Sequence, residues 1–326
     1  MPEIDRKKLA ILRALDSQSE PVGSSRLAQE LANLGVDLTD RAVRYQLQQL
    51  DEAGLTESLG RAGRRITAAG RRELANASVS DRVTLVISTL ERLAYQTSFD
   101  LTTRQGKVVL NVSLLPAEAL GTALQVMRPV FLAGLCTSDL IAVYQAGQQV
   151  GDAQVPAGMV AIGTVCSVTI NGILLNYGIP MQSQFGGLLE LAGHKPVRFT
   201  DVIHYEGTSL DPLEIFIKGK MTSVTQAART GAGKVGAGFR LIPASAYDQF
   251  LEVADQMAQA GIRGVASVGR PSHPLLEIPV PLERVGVILY AGLNPGAAIE
   301  EAGIQTTNHA MDALVDFSEL TSYRHL

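Results

Sequence analysis

The residues best placed to do chemistry lie in one stretch, Gly163-Thr164-Val165-Cys166-Ser167-Val168-Thr169-Ile170-Asn171-Gly172. Thr164, Ser167 and Thr169 bring hydroxyls, Asn171 an amide and Cys166 a thiol, all small and all set in an apolar run. The pattern reads as a strand that breaks at Asn171-Gly172 and restarts as a helical turn ending at Gly178. A strand ending this abruptly leaves small polar groups and free backbone N–H groups at its carboxyl end, where open α/β sheets place ligands. The chemistry on offer is ligand binding. No cation lies in the stretch itself, and Arg198, Lys220 and Arg240 are the nearest in sequence. Arg240 leaves the apolar face of its strand and so could reach a cleft. Cys166 has two readings, packing in an apolar strand or contact with a ligand; no neighbouring His or Lys favours a thiolate.

Catalytic and metal signatures are missing. There is no GxSxG, and no paired acid and base stand out. The five histidines are scattered without HxxxH or HExxH spacing, and neither Cys136 nor Cys166 belongs to a CxxC pair. Gly231-Ala232-Gly233-Lys234-Val235-Gly236 satisfies GxGxxG, but a helix-like segment precedes it and a strand follows, the reverse of the dinucleotide order. The Walker pattern fails at Val235. We therefore assign no catalytic residue, no metal ligand and no cofactor. An enzyme or metal-sensing domain is the alternative.

These groups must be positioned by a chain of 326 residues, long for one core and enough for two or three units. The net charge of −4 gives no support to global nucleic-acid binding. Residues 41 to 72 are the exception, with seven arginines in that short span. Two cysteines fit a reducing, cytoplasmic compartment, and no apolar run reaches the ~18 residues of a membrane span.

Residues 1–76 carry three apolar-periodic runs: Ile4, Leu9, Ile11, Leu12 and Leu15; Leu27, Leu31 and Leu34 behind a Ser24-Ser25 cap; and Val43, Leu47 and Leu50 behind Thr39. A short strand at Leu55 to Leu59, a basic turn and a return at Ile66-Thr67 complete a winged helix-turn-helix. Arg41, Arg44, Tyr45 and Gln48 then face outward from the third helix to meet bases and phosphates of operator DNA. Arg61, Arg64 and Arg65 would hold the backbone from the wing. The same face would also serve a protein partner. Residues 77–99 read as a linker helix capped by Ser80-Asp81, with Val83, Val86, Leu90 and Leu93 as a stripe that packs on the next domain or forms a homodimer seam.

Residues 100–326 are duplicated. Gly106-Lys107-Val108 and Leu114-Leu115-Pro116-Ala117 recur as Gly233-Lys234-Val235 and Leu241-Ile242-Pro243-Ala244, at an offset of 127. Further on, Gly163 matches Gly286, Asn171 matches Asn294, and Gly178-Ile179 matches Gly303-Ile304. Each half, about 100–225 and 227–326, reads strand, helix, strand, hairpin, strand, helix. The expected fold is a winged helix followed by an internally duplicated α/β (α+β) regulatory domain with a pseudo-twofold axis. The insert from Tyr205 to Glu214 reads as a turn-rich loop with several acceptors.

The segments GTVCSVTINGILL, FGGLLEL, RFTDVIHYEGTSLDPLEIFI and MTSV, with the Asn294-Pro295 turn, resemble the NrpR family of archaeal nitrogen-regulatory repressors over nearly the whole chain. The resemblance implies a repressor released from operator DNA when 2-oxoglutarate binds its regulatory domain. It places Cys166 in the motif that the family associates with that response. Some members carry two regulatory domains in tandem; this chain has room for one. On the residues and the resemblance together, the effector site is expected to draw on Thr164, Cys166, Ser167, Thr169, Asn171, Arg198, Glu206, Thr208, Ser223, Arg240 and Asn294.

Overall fold

A computed structural model describes residues 6–18, 20–33, 35–76, 79–151 and 153–325. Ile4 and Leu34, and the side chains of Ser80, Asp81 and Val83, lie outside the described residues. The chain forms two compact units, Met1–Asp81 and Arg82–Leu326. No helix among the described residues is long and apolar enough to cross a membrane.

In the first unit, α1 (Arg6–Asp16), α2 (Ser24–Asn33) and α3 (Asp40–Glu52) are followed by strands β1 (Thr56–Ser58) and β2 (Arg64–Ile66) and by α4 (Ala68–Asn76). The predicted stripes form the core: Ile11, Leu12, Leu15, Leu27, Leu31, Val43, Leu47, Leu50 and Ile66 are buried together. Thr39 caps α3 by accepting the Ala42 N–H at 3.3 Å. Ser24 and Ser25 sit inside the first turn of α2 instead of capping it, because Ser25 turns its hydroxyl to Asp40 (3.2 Å). Strands β1 and β2 pair antiparallel as the wing, from Thr56↔Ile66 to Ser58↔Arg64.

Helix α5 (Val79–Gln96) crosses the boundary, and it starts one residue before the expected Ser80-Asp81 cap. Within the second unit the later part of its stripe is packed: Leu90, Leu93 and Ala94 are buried with Val109, Cys166 and Val168. Each buried leucine there contributes about 1.5–3 kcal/mol.

The first repeat comprises β3 (Lys107–Pro116), α6 (Leu120–Leu132), β4 (Leu140–Tyr144), the hairpin β5 (Gln149–Val150) and β6 (Ala153–Gln154), β7 (Met159–Val165) and α7 (Val168–Asn176). Next come β8 (Gln182–Ala192), β9 (Lys195–His204), α8 (Pro212–Lys218) and α9 (Val224–Thr230). The second repeat runs through β10 (Gly233–Pro243), α10 (Tyr247–Gln259), β11 (Val265–Val268), β12 (Arg284–Tyr290), α11 (Asn294–Glu301), β13 (Thr307–Asp316) and β14 (Thr321–Ser322). In place of the hairpin it has only a bridge, Leu275↔Ile278. The glycine-rich run is the helix-to-strand turn expected: α9 ends at Gly231 with φ +72°, and β10 starts at Gly233.

Two five-stranded sheets result, ordered β11-β12-β10-β8-β9 and β13-β3-β7-β4-β14, with antiparallel pairing throughout. The ligand rule for open parallel sheets therefore does not apply to Gly163–Gly172. The halves also exchange strands: β8 leaves the first half to pair with β10, and β13 leaves the second to pair with β3.

Register corrects the alignment of the copies. Leu110 pairs with Val165 and its repeat mate Ala237 with Tyr290, so beyond the hairpin the offset is 290 − 165 = 125. Gly286 is then the mate of Ala161, and Asn294 the mate of Thr169, where the sequence suggested Gly163 and Asn171. Hydrogen bonding agrees. The Thr169 hydroxyl accepts the Val109 N–H (3.0 Å) and donates to the Val109 carbonyl (3.2 Å). Asn294 does the same to Gly236, the mate of Val109, at 2.8 and 2.9 Å.

The opening stretch differs from its expected form as well. β7 ends at Val165, and Asn171-Gly172 lies inside α7. Gly172 is there for close approach, since a Cβ would sit 2.3 Å from the Thr97 Cβ and 2.6 Å from the Ala94 carbonyl. Thr169→Val keeps the shape but orphans the Val109 N–H. It should cost about 1–3 kcal/mol, read as a lowered melting temperature with the same fold by circular dichroism.

Candidate functional site

The two strand-to-helix corners meet. Cys166 donates its N–H to the Val109 carbonyl (2.8 Å), and Ala291, its mate, donates to Gly236 (2.9 Å). Gly292 then passes so close to the first corner that a Cβ would fall 2.0 Å from the Val165 carbonyl and 2.5 Å from the Asn111 amide. Between the corners lies a cavity of about 30 Å³, walled by Cys166, Ser167 and Val168 on one side and Ala291, Gly292 and Leu293 on the other. Asn111 from β3 and Arg240 from β10 reach it. Tyr205, Asp211 and Leu213 come from the insert before and within α8, Ala310 and Met311 from β13, and Leu90 from α5.

Met311 stands in a break of register in β13, between His309 and Ala313, with φ +53°. Two side chains pin this bulge: Glu214 accepts the Ala310 N–H (2.6 Å) and Asn111 accepts the Met311 N–H (3.1 Å).

Arg240 is 1 % exposed, and its guanidinium is poorly satisfied. Its bonds are long: 3.4 Å to the Phe185 carbonyl, 3.2 Å to the Phe239 carbonyl and 3.5 Å to the Tyr205 hydroxyl, and Nε has no partner. The guanidinium lies over the Tyr205 ring, 5.0 Å from its centre. The absent side chain of Gly238 makes room for it, since a Cβ there would lie 2.6 Å from a terminal nitrogen. A cation buried this way is costly unless an anion completes its hydrogen bonds.

Asp211 caps α8 by accepting the Leu213 N–H at 2.8 Å. Burial, then the neighbouring Glu214 charge, push its carboxyl up to about 6. Burial foremost pushes the Cys166 thiol up to about 12, so this cysteine is a neutral thiol. Among the described residues, no three His, Cys, Asp or Glu side chains gather as metal ligands do.

On the first unit, Arg41, Arg44, Tyr45 and Gln48 lie on the exposed face of α3, and Tyr45 is 60 % exposed. Arg44 is engaged there by Asp40 and by the Ser24 hydroxyl (3.2 Å), and Gln48 by Glu52 (3.2 Å). On the wing, Arg65 pairs across strands with Glu57 (3.0 Å), and Arg61 is exposed at the tip. Arg64 has a structural partner as well. Its Nε bonds Asp51 at 2.8 Å with both side chains about a quarter exposed, so it ties the wing to α3.

Residues 83–322 match the family described as NrpR regulatory domains NRD1 and 2. The chain belongs to the NrpR family. Residues 9–74 match the winged-helix domain of ribonuclease R. The chain is 35 % identical over 319 residues to the global nitrogen regulator NrpRI of Methanosarcina mazei, covering 98 % of each. It is 32 % identical over 310 residues to the global nitrogen regulator NrpR of Methanococcus maripaludis, covering 95 % of this chain and 54 % of that protein. A crystal structure of a nitrogen repressor-like protein from Methanococcus jannaschii is similar, with a TM-score of 0.62 and 27 % identity over 73 % of this chain and 98 % of that one. A winged helix joined to an NrpR regulatory domain makes the chain a DNA-binding transcriptional regulator, not an enzyme.

In this NrpR domain, Cys166, Ser167 and Arg240 come together at the cavity, and the other expected residues lie elsewhere. Thr164 is buried in β7 with an unpartnered hydroxyl, beside Asn111 in the ladder. Thr169 and Asn294 are spent as strand clamps, and Asn171 donates to the Met181 carbonyl (3.4 Å) and the Ser183 hydroxyl (3.3 Å). Arg198 is on the exposed face of β9, paired with Glu190 at 2.6 Å. Thr208 closes a turn on Leu210 (2.7 Å), Ser223 accepts the Lys234 N–H (2.7 Å), and Glu206 is exposed. Sequence reasoning missed Asn111, Tyr205 and Asp211. The last two sit in the loop marked for its acceptors, and the residues chosen from it were neighbours facing away.

Arg61→Ala should weaken DNA binding at every sequence and lower the slope of log affinity against log salt by about 1, without changing the melting temperature. Arg64→Ala should lower the melting temperature as well. Asp211 gives a stability test. Its carboxyl is raised from 3.8 in the unfolded chain to about 6 in the fold, so its contribution is full below about pH 4 and is lost as pH rises through 6. Asp211→Asn keeps the cap and should be more stable than the parent near neutral pH by at most about 3 kcal/mol, since the residue is only half-buried. The difference should vanish in acid, as thermal melts across pH would show.

Proposed function

We infer that the chain is a cytoplasmic, homodimeric repressor whose paired winged helices hold a two-fold operator, and that 2-oxoglutarate in the cavity beside Arg240 controls that grip. The observation that carries this reading is the guanidinium itself, buried with an open Nε and no bond shorter than 3.2 Å. A carboxylate would complete it with charge-assisted bonds. Ser167 and Asn111 are polar partners of suitable size for a keto oxygen.

The cavity of about 30 Å³ has room for water but not for a five-carbon acid. Binding must therefore part the corners, and a ligand that fits only the parted arrangement shifts the population toward it. Leu90 is one wall, and it lies on the helix whose preceding residues lead to the winged helix. That gives the opening a route to the DNA-binding unit. The nitrogen-regulator names of the relatives fit a ligand that reports carbon in excess of nitrogen.

The test is fluorescence anisotropy on an operator selected by the protein itself from random DNA. Millimolar 2-oxoglutarate should weaken binding by about tenfold or more, the size of an ordinary allosteric coupling. Arg240→Gln should bind the operator and ignore the ligand. Unchanged affinity of the parent protein with 2-oxoglutarate would refute the effector assignment.

A further inference from the structure

The cavity holds one cation, Arg240, and one carboxyl group, Asp211. A dicarboxylate that places one carboxylate on the guanidinium brings a second negative group into a small cavity that already has an acid in its wall. Two carboxyl groups so confined cannot both stay ionised, and the favourable arrangement is a shared proton. Among the described residues the lining of the cavity holds no second lysine or arginine. Glu214 lies near Asp211 in the first turn of α8, with His309 and Asp312 beyond it; Tyr205 and Cys166 lie near it from the insert and the first corner. Asn111, Leu90 and the second corner contribute nothing titratable.

We propose that Asp211 is the specificity residue of the cavity: as a neutral carboxylic acid it meets one carboxylate of the ligand while Arg240 holds the other, so that a dicarboxylate enters together with one proton. The proposal rests on the reading that a dicarboxylate fills this cavity. In its neutral form Asp211 still accepts the Leu213 N–H that fixes it on α8, and it gains an O–H donor. Its carboxyl already holds a proton more firmly than usual, because burial and Glu214 oppose its charge. An ionised Asp211 would instead make the cavity complementary to a zwitterion, with the ammonium of an amino acid on Asp211 and its carboxylate on Arg240. The two states select chemically different ligands of almost the same shape.

The experiment is calorimetric titration of the full chain with 2-oxoglutarate and with glutamate, in buffers of different ionisation enthalpy across pH 5.5 to 8.5. The parent protein should take up about one proton per 2-oxoglutarate near pH 7.5, with Kd rising about tenfold per pH unit above 6. Asp211→Asn keeps the helix cap and should bind without proton uptake and with a flat profile. Binding by the parent without uptake, uptake retained in Asp211→Asn, or tighter binding of glutamate than of 2-oxoglutarate would each overturn the proposal. If the variant does not bind, the parent's proton count decides alone. Failure of the parent to bind 2-oxoglutarate at any pH would remove the dicarboxylate reading itself.

Discussion

The second unit depends on the exchange of β8 and β13 between its halves. Each sheet takes an essential inner or edge ladder from the other copy: β10 pairs with β8 from Gly233↔Leu191 to Leu241↔Gln182, and β3 pairs with β13 from Lys107↔Asp316 to Leu114↔Thr307. Neither half can satisfy those backbone groups alone, and an unpaired strand edge exposed to water invites foreign pairing. The crossing chains then hold the two strand-to-helix corners in contact, tightly enough that only glycine fits at 292. The cavity is a consequence of that closure.

The symmetry of this scaffold is broken at the cavity. Ser113 and Arg240 are repeat mates, and each sits opposite a mate pair in the ladder, Asn308 and Ser183. In the first copy a small hydroxyl is satisfied by Asn308 at 2.6 Å. In the second, the same position carries a buried cation with open valences, and the mate of Asn111 is Gly238, which leaves space for it. The clamps show the opposite tendency, since Thr169 and Asn294 differ in type and perform one structural task. Equivalent positions therefore separate into those that hold the fold and those that confer a charge.

That separation explains what was legible in the sequence. The winged helix was readable because its three stripes bury one face each and Thr39 caps as its type predicts. The duplication was readable through β3, α6 and their mates, where the offset of 127 is unbroken. It misled beyond the hairpin, where identical residues, glycine with glycine and asparagine with asparagine, matched better in type than in register. Arg240 could be found because strand alternation aims it off the apolar face. Asp211 and Tyr205 could not be told from Glu206 and Thr208, because a loop has no periodicity from which to read direction. Strand exchange left no local signal, for β8 and β13 have the same alternation whichever sheet they join.

A cavity that has room for little more than water is better suited to switching than a preformed pocket would be. A ligand shifts an equilibrium only by its difference in affinity for the two states. A pocket already open would bind its ligand in both and move nothing. Here the arrangement seen leaves a buried guanidinium incompletely bonded, and on the proposed effector reading only a parted one would admit the carboxylate that completes it. The unfavourable burial of Arg240 in the closed state and the charge-assisted bonds in the open one then act in the same direction. Leu90, packed at the cavity wall with Val109, Cys166 and Val168, makes α5 part of whatever the corners do.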